Sequence, residues 1–408
     1  MSSCTYYIGD TRDVLATLSD GSVDMVMTSP PFLALRSYLP ADHPDKHREI
    51  GSEPTPAEFL DTLLGLTAEW GRVLAPHGSI VVELGDTYSG ADNSPSTTQN
   101  PAYGQDGSRF AERATGGTPR RKLGDGWPLA KSLCGIPHLY HLSLAYGRNL
   151  LTGEPSPAGQ WRVRNVVAWC RPNPPVGALG DKFRPATSYL TIATRSATRY
   201  FDLDAVRTPH KADPANYTGN GYTKGNPSGE GEDNAMPGNP AGAPPLDWWE
   251  IPTAPYKGSH YAVYPPALLE RPIKSMCPQQ VCIVCGEPRR RITGEPIYVQ
   301  DGQKVAPNPI VGVRGSGSGI SVAGTTTGTN SGTTRVAETI GWTDCGHDSW
   351  RNGIVLDPFG GSGTTGQVAT GNGRDAILID LDERNADLAR ERIGMFLTVT
   401  DTRQEATA

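Results

Sequence analysis

The stretch from Ile354 to Asp380 constrains the fold of this chain more than any other part of it. Ile354 to Leu356 reads as a short buried strand, and it runs directly into Asp357-Pro358-Phe359-Gly360-Gly361-Ser362-Gly363-Thr364-Thr365. Thr364 to Thr370 opens a helix, Ala376 to Ile379 is a second strand, and Asp380 ends it. Glycines let the backbone turn sharply and approach a ligand, while an acid closing the next strand can bind ribose hydroxyls. Asp380 stands 17 residues past Gly363, near the ~20 of a nucleotide-binding βαβ half. No Lys occupies a Walker position, so a nucleoside triphosphate is not the expected ligand. The alternative is a tight strand–helix turn that binds nothing.

The remaining chain supplies more units of the same kind. Tyr6 to Gly9 reads as a strand ending at Asp10, with a helix through Val14 and Leu18 behind it. Asp24 to Thr28 is a strand, residues 56–74 carry Phe59, Leu60, Leu63, Leu64, Leu66 and Trp70 at helical spacing, and Ser79 to Leu84 is a strand. Asn165 to Trp169 and Tyr189 to Ala193 read as strands, Tyr264 to Ser275 and Asn385 to Met395 as helices. Strands interleaved with helices predict an α/β, doubly wound sheet. Glycine (48) and proline (36) make up about a fifth of the 408 residues, concentrated in long inserted loops.

A second motif lies near the start. Thr28-Ser29-Pro30-Pro31-Phe32 follows an apolar strand without a break. Two prolines fix the backbone as it leaves the sheet and remove N–H donors, so carbonyl oxygens are presented as acceptors. A hydroxyl (Ser29) and a carbonyl (Pro30) accepting from an aromatic amine would localise its lone pair and aim it at a methyl sulfonium. Phe32 would stack on a base drawn out of the duplex. Alone, Ser-Pro-Pro is a common turn; its pairing with the glycine turn gives it meaning.

Together these motifs resemble the DNA amino-methyltransferases, in the permuted (beta) group where the catalytic motif precedes the cofactor motif. The likeness includes Gly9-Asp10, Gly85-Asp86-Thr87-Tyr88, Trp169 to Asn173 and His260 to Pro265. The resemblance implies a Rossmann-like S-adenosylmethionine-dependent methyltransferase fold: a seven-stranded mixed sheet with helices on both faces. It implies Ser29, Pro30, Pro31 and Phe32 as the catalytic set. It places Asp357, Phe359, Gly361 and Gly363 at the methionine part of S-adenosylmethionine, among Thr28, Pro358, Gly360, Ser362 and Thr364. Asp380 would hold the ribose, Asp10 the adenine amine, and His260 and Pro265 would close the pocket. Serine at the first motif position resembles the cytosine-N4 enzymes, which favours cytosine over adenine N6. Double-stranded DNA is the implied partner; a restriction-endonuclease counterpart is compatible but not required.

On this basis residues 1–86 form the catalytic-motif half and 87–128 a target-recognition loop region. The sheet continues over 129–206, followed by an inserted polar loop at 207–247 and a cofactor-pocket segment at 248–278. Residues 279–353 form an insertion, 354–397 the cofactor-binding half and 398–408 a tail. The net charge of −6 does not advertise a nucleic-acid binder, but local basic clusters exist: Arg109, Arg113 and Pro119 to Lys122, and Arg289-Arg290-Arg291. Each could equally be a solvated face. No apolar run approaches a membrane span, and the amino terminus lacks the pattern of a signal peptide, so a cytoplasmic location is expected.

Seven cysteines fall unevenly. Cys282-x-x-Cys285-Gly286 resembles a zinc knuckle, and Cys345-x-His347 could supply the second pair of a structural zinc site. The 59 residues between the pairs include a low-complexity stretch, and Cys277 competes as a ligand. Reduced cysteines without metal are the plainer alternative. Two other functional classes stay open at this point: a methyltransferase of RNA or protein, and a non-catalytic zinc-containing DNA-binding protein.

Overall fold

The computed structural model describes residues 2–35, 37–40, 42–90, 126–174, 181–208, 242–253, 263–294, 297–300, 303–305, 334–336 and 339–405. His260 and most of both polar loops, residues 91–125 and 209–241, lie outside them, as do Arg109, Arg113 and Arg120 to Lys122. The chain runs β1 (Cys4–Ile8), α1 (Thr11–Thr17), β2 (Val23–Thr28), α2 (Pro56–Val73), β3 (Leu74–Leu84) and α3 (Ile136–Tyr146). Next come β4 (Arg162–Cys170), β5 (Thr187–Thr194), β6 (Trp248–Glu250), α4 (Pro266–Met276) and β7 (Gln280–Cys282). Five short strands follow: β8 (Arg291–Thr293), β9 (Ile297–Gln300), β10 (Gln303–Val305), β11 (Thr334–Val336) and β12 (Thr339–Trp342). The chain ends with β13 (Trp350–Asn352), β14 (Ile354–Asp357), α5 (Thr364–Gly371), β15 (Asp375–Asp380), α6 (Arg384–Ile393), β16 (Leu397–Asp401) and α7 (Thr402–Glu405).

Two compact units divide these elements. One comprises Met1–Phe201, Leu246–Arg289 and Cys345–Ala408; the other comprises Asp202–Pro245 and Arg290–Asp344. The first holds a nine-stranded sheet in the order β16-β1-β15-β14-β2-β3-β5-β4-β6. The six strands from β16 to β3 are parallel, and β5 runs antiparallel to both β3 and β4. The expected count of seven is therefore exceeded by two edge strands. Residues 397–401, expected at the boundary of a tail, pair with β1, and three residues at Trp248–Glu250 pair with β4. Both are too short to give a periodic signal, and pairing along an existing edge makes them strands.

Two apolar clusters flank the sheet. Val14 and Leu15 of α1, Phe59, Leu60, Leu63 and Trp70 of α2, and Tyr140 and Leu144 of α3 pack on one face. Leu268, Leu269 and Ile273 of α4, Val368 of α5, and Ala389 and Ile393 of α6 pack on the other. With both faces covered, β2 is buried at every residue, which is why Met25, Val26 and Met27 run on without alternation. The start of α2 is set by a capping box: Thr55 accepts from the Glu58 amide while the Glu58 carboxylate accepts from the Thr55 amide. The smaller unit contains a three-stranded antiparallel sheet, β10-β9-β11, and the pair β12-β8.

Candidate active site

The two motifs lie 329 residues apart in sequence and meet on adjacent parallel strands. β14 pairs with β2, and at their ends Thr28 Oγ1 donates to Asp357 Oδ1 at 2.7 Å. Asp357 is fully buried. Its carboxylate also accepts from the Phe359 amide (3.1 Å), Thr365 Oγ1 (2.5 Å) and Tyr264 Oη (2.8 Å). Burial pushes this carboxyl up from its ordinary value, and these donors pull against the rise. Four donors on one carboxylate knot β2, the glycine turn and the residue before Pro265 into one piece. Pro265 is the N-cap of α4.

Ser29 follows β2 immediately. Its hydroxyl donates to Glu83 Oε2 at 2.6 Å, from the neighbouring strand β3. Glu83 is buried, and burial raises its carboxyl, opposed by hydrogen bonds from Ser188 and Ser29 and by the Arg171 charge. Arg171 lies over the Trp169 ring, 5.0 Å from its centroid. Pro30 is buried and Pro31 half-buried. The half-buried Phe32 ring rests against Gly85, where a Cβ would come within 2.6 Å of the ring. Asp86, next in sequence, accepts from the amides of Gly135 and Ile136 and so caps α3.

The glycine turn is held from three sides. Tyr6 Oη of β1 donates to the Gly361 carbonyl at 2.9 Å, and the Gly361 amide donates to Asp380 Oδ2 at 2.8 Å. Gly361 (φ 48°) and Gly363 (φ 82°) occupy the left-handed region that favours glycine. A Cβ on Gly363 would also sit 2.9 Å from Ala389 of α6. Pro358, Gly360, Ser362 and Thr364 are buried in the same turn. Burial raises the Asp380 carboxyl to about 6, against bonds from the Asp382 amide, Asn385 and the Gly361 amide. A strand-end carboxylate met by neutral donors is suited to further hydroxyl donors, which is what a ribose presents. Asp10 is the N-cap of α1, accepting from the Arg12 amide, and it pairs with Arg48 at 2.8 Å.

Sequence reasoning missed Glu83, Tyr264, Tyr6 and Arg48. Glu83 left a signal, a lone acid inside the apolar run SIVVEL beside the motif strand. The tyrosines left none, because their partners are far away in sequence.

A model of the DNA methylase family matches residues 23–284 and 347–391, more than half of the chain. The chain belongs to this DNA methylase family. It is 22% identical over 393 residues to the type II methyltransferase M.SmaI of Serratia marcescens, spanning 96% of this chain and 91% of that protein. It is 29% identical over 210 residues to M.SfiI of Streptomyces fimbriatus, a match covering 51% of this chain and only 40% of that methyltransferase. Among solved structures, a cytosine-N4-specific PvuII DNA methyltransferase overlaps with a TM-score of 0.46 at 13% identity, covering 98% of this chain and 95% of that one.

The methylase carries a second constellation outside its two motifs. Cys282 ends β7, and the chain turns back at once: the Gly286 amide donates to the Cys282 carbonyl (3.0 Å) and the Cys282 amide to the Glu287 carbonyl (2.9 Å). Gly286 (φ 74°) permits that turn, and Gly346 (φ 79°) permits the one between Cys345 and His347. One donor atom from each of Cys282, Cys285, Cys345 and His347 lies within 4.8 Å of all the others. Cys277 is not among them; it is buried beside Arg374, which donates to its carbonyl. Three thiols and an imidazole converging in this way form a donor set that fits a closed tetrahedral zinc site.

The arginine run beside this cluster is engaged within the methylase. Arg289 stacks on Trp350 (4.5 Å) and donates to Gln280, while Arg291 pairs with Asp202 at 2.9 Å and lies over Trp342. Among the described residues, no helix is long and apolar enough to cross a membrane.

Proposed function

We propose that this methylase transfers a methyl group from S-adenosylmethionine to the exocyclic amine of a base flipped out of double-stranded DNA, with cytosine N4 favoured over adenine N6. The observation that carries the reading is the Ser29 to Glu83 hydrogen bond, one strand away from the Thr28 to Asp357 bond. With its own proton committed to Glu83, Ser29 Oγ is left with lone pairs facing outward, an acceptor for one amino hydrogen. The Pro30 carbonyl is the acceptor for the other. When bound, S-adenosylmethionine supplies an electrophilic methyl carbon and a sulfur leaving group that keeps the bonding electron pair. The amine gains a bond to carbon and must lose a proton. Glu83, whose carboxyl burial raises, is the group placed to receive it through Ser29 Oγ.

In this reading the glycine turn holds the methionine part of the cofactor and Asp380 its ribose, and Phe32 lies against the flipped base. Serine rather than an acid or amide at the first motif position is what favours cytosine. His260 and the long polar loops are assigned to pocket closure and target recognition by resemblance alone. A structural zinc ion on Cys282, Cys285, Cys345 and His347 completes the proposal; alkylation by a sulfonium needs no Lewis acid, so its role is not catalytic. The relatives' designation as type II methyltransferases supports a place beside a restriction endonuclease.

The test is methyl transfer from labelled cofactor to mixed-sequence duplex DNA, with nucleoside mass spectrometry of the product. N4-methylcytosine is expected, and N6-methyladenine would keep the reaction and change the base. Methylation of RNA or protein with none on DNA would overturn the substrate. No transfer and no cofactor binding would leave a zinc-containing DNA-binding protein.

A further inference from the structure

The chain leaves the larger unit after Arg289 and returns to it at Cys345. Cys282 and Cys285 precede the exit, and Cys345 and His347 follow the return. Directly inboard of the four ligands, β7 and β13 pair antiparallel, with Trp350 opposite Cys282, Arg351 opposite Val281 and Asn352 opposite Gln280. These strands form a separate two-stranded ribbon. A ribbon of three residue pairs is at best marginal without other support, and this one closes a loop of more than sixty residues, which adds an entropic cost.

What the ribbon delivers is Arg351. Its Nη1 and Nη2 donate to Asp24 Oδ2 (2.5 Å) and Oδ1 (3.1 Å). Asp24 is wholly buried on β2 and also accepts from the Ile354 amide at 2.7 Å, the first residue of β14. His77 of β3 meets its other oxygen at 3.0 Å. One carboxylate therefore joins the entry ends of the two strands whose exit ends carry Ser29 and Asp357. Gly353 makes the passage from ribbon to strand, and a Cβ there would lie 2.0 Å from the Pro278 carbonyl.

We infer that zinc at the four-ligand cluster clamps the open end of this ribbon and thereby holds Arg351 on Asp24, so that the cofactor turn is braced by a metal that never touches the cofactor. The inference rests on the zinc reading proposed above. A tetrahedral ion fixes the two chain crossings at a set separation, and the ribbon and its arginine follow from that spacing.

The experiment uses the full chain, with zinc measured by elemental analysis, S-adenosylmethionine affinity by calorimetry and amide hydrogen exchange by mass spectrometry. About one zinc per chain is expected. Removing it with a chelator should speed exchange at residues 280–282 and 350–356, and weaken cofactor binding about tenfold, within the usual range for coupling between two sites. Protection in β3 and α2 should persist, and added zinc should restore both properties. Arg351→Met, which keeps all four ligands, should retain zinc yet reproduce the loss of affinity. A chain that binds no zinc would overturn the metal site and the clamp together. A chain that loses zinc with unchanged exchange and affinity would overturn the clamp and leave the metal site standing. Should chelation unfold the whole chain, Arg351→Met decides: weaker cofactor binding with zinc retained upholds the clamp, and unchanged binding overturns it.

Discussion

The Ser29 hydroxyl, just past the end of β2, and the Glu83 carboxylate of the neighbouring parallel strand β3 are 2.6 Å apart. The hydroxyl of the first motif is thus already oriented by a buried acid. Glu83→Gln keeps the shape but replaces a carboxylate acceptor with an amide that cannot take up a proton. The expected result is a fall in kcat of about 10²-fold or more, the usual contribution of a general base, with cofactor affinity unchanged. Single-turnover kinetics with calorimetry would check it; an undiminished rate would remove Glu83 from proton transfer.

Ser29→Ala should abolish most transfer and leave S-adenosylmethionine affinity nearly intact, if the hydroxyl acts on the base as proposed. Equal loss of both would mean that the Ser-Pro-Pro-Phe turn belongs to the cofactor pocket.

Asp380 carries a pH signature. Its carboxyl is raised from 3.8 to about 6 by burial. Ribose hydroxyls donating to it would favour the charged form, so binding near pH 6 releases a proton and affinity rises with pH through about 6 before levelling. The free protein's stability runs the other way. A raised carboxyl contributes stability that is full below 3.8 and lost as pH climbs through about 6. Calorimetry in buffers of different ionisation heat would count the proton, and an affinity flat from about pH 5 to 7 would remove Asp380 from the ribose site.

Asp24 acts in the opposite sense. Burial alone would raise its carboxyl, but hydrogen bonds from His77 and Arg351 and their charges outweigh burial and hold it below 3.8. Its contribution is present above 3.8 and is lost as pH falls through the lowered value. Asp24→Asn leaves the Arg351 charge without its partner and should cost about 3–5 kcal/mol, as breaking a buried pair does. Denaturant titration at pH 7 measures this, and a loss below about 1 kcal/mol would show the pair to be dispensable.

Two glycines separate backbone demand from mere presence. Gly353→Ala meets the Pro278 carbonyl, part of the backbone and unable to yield cheaply. It should lower stability by about 1–3 kcal/mol or more. Gly371→Ala, at the exposed end of α5 with nothing within 4 Å of its Cβ, should be neutral or stabilising by up to about 1 kcal/mol. Thermal melts of the two variants side by side give the comparison.

The central strands and helices were legible in the sequence because both sheet faces are covered, so β2, β3 and α2 carry dense apolar runs. The motif turns were legible through glycine and proline, which report backbone shape directly. Glu83 as a partner of Ser29, Tyr6 on Gly361 and Tyr264 on Asp357 were not, since each depends on strand order, which local patterning does not encode. β16 was missed for the same reason: five residues become a strand only because β1 offers an edge.

The position of β1 has a consequence for synthesis. It lies between β15 and β16, which follow it in the chain by more than 360 residues. At about 5–20 residues per second, the first strand waits roughly 20–80 s for its neighbours. During that interval Tyr6 and Ile8 have no sheet to join, and Ser29 has no Asp357 beside its strand. Translation cut short before the glycine turn therefore leaves the whole Ser-Pro-Pro-Phe motif on a strand that lacks its β14 neighbour.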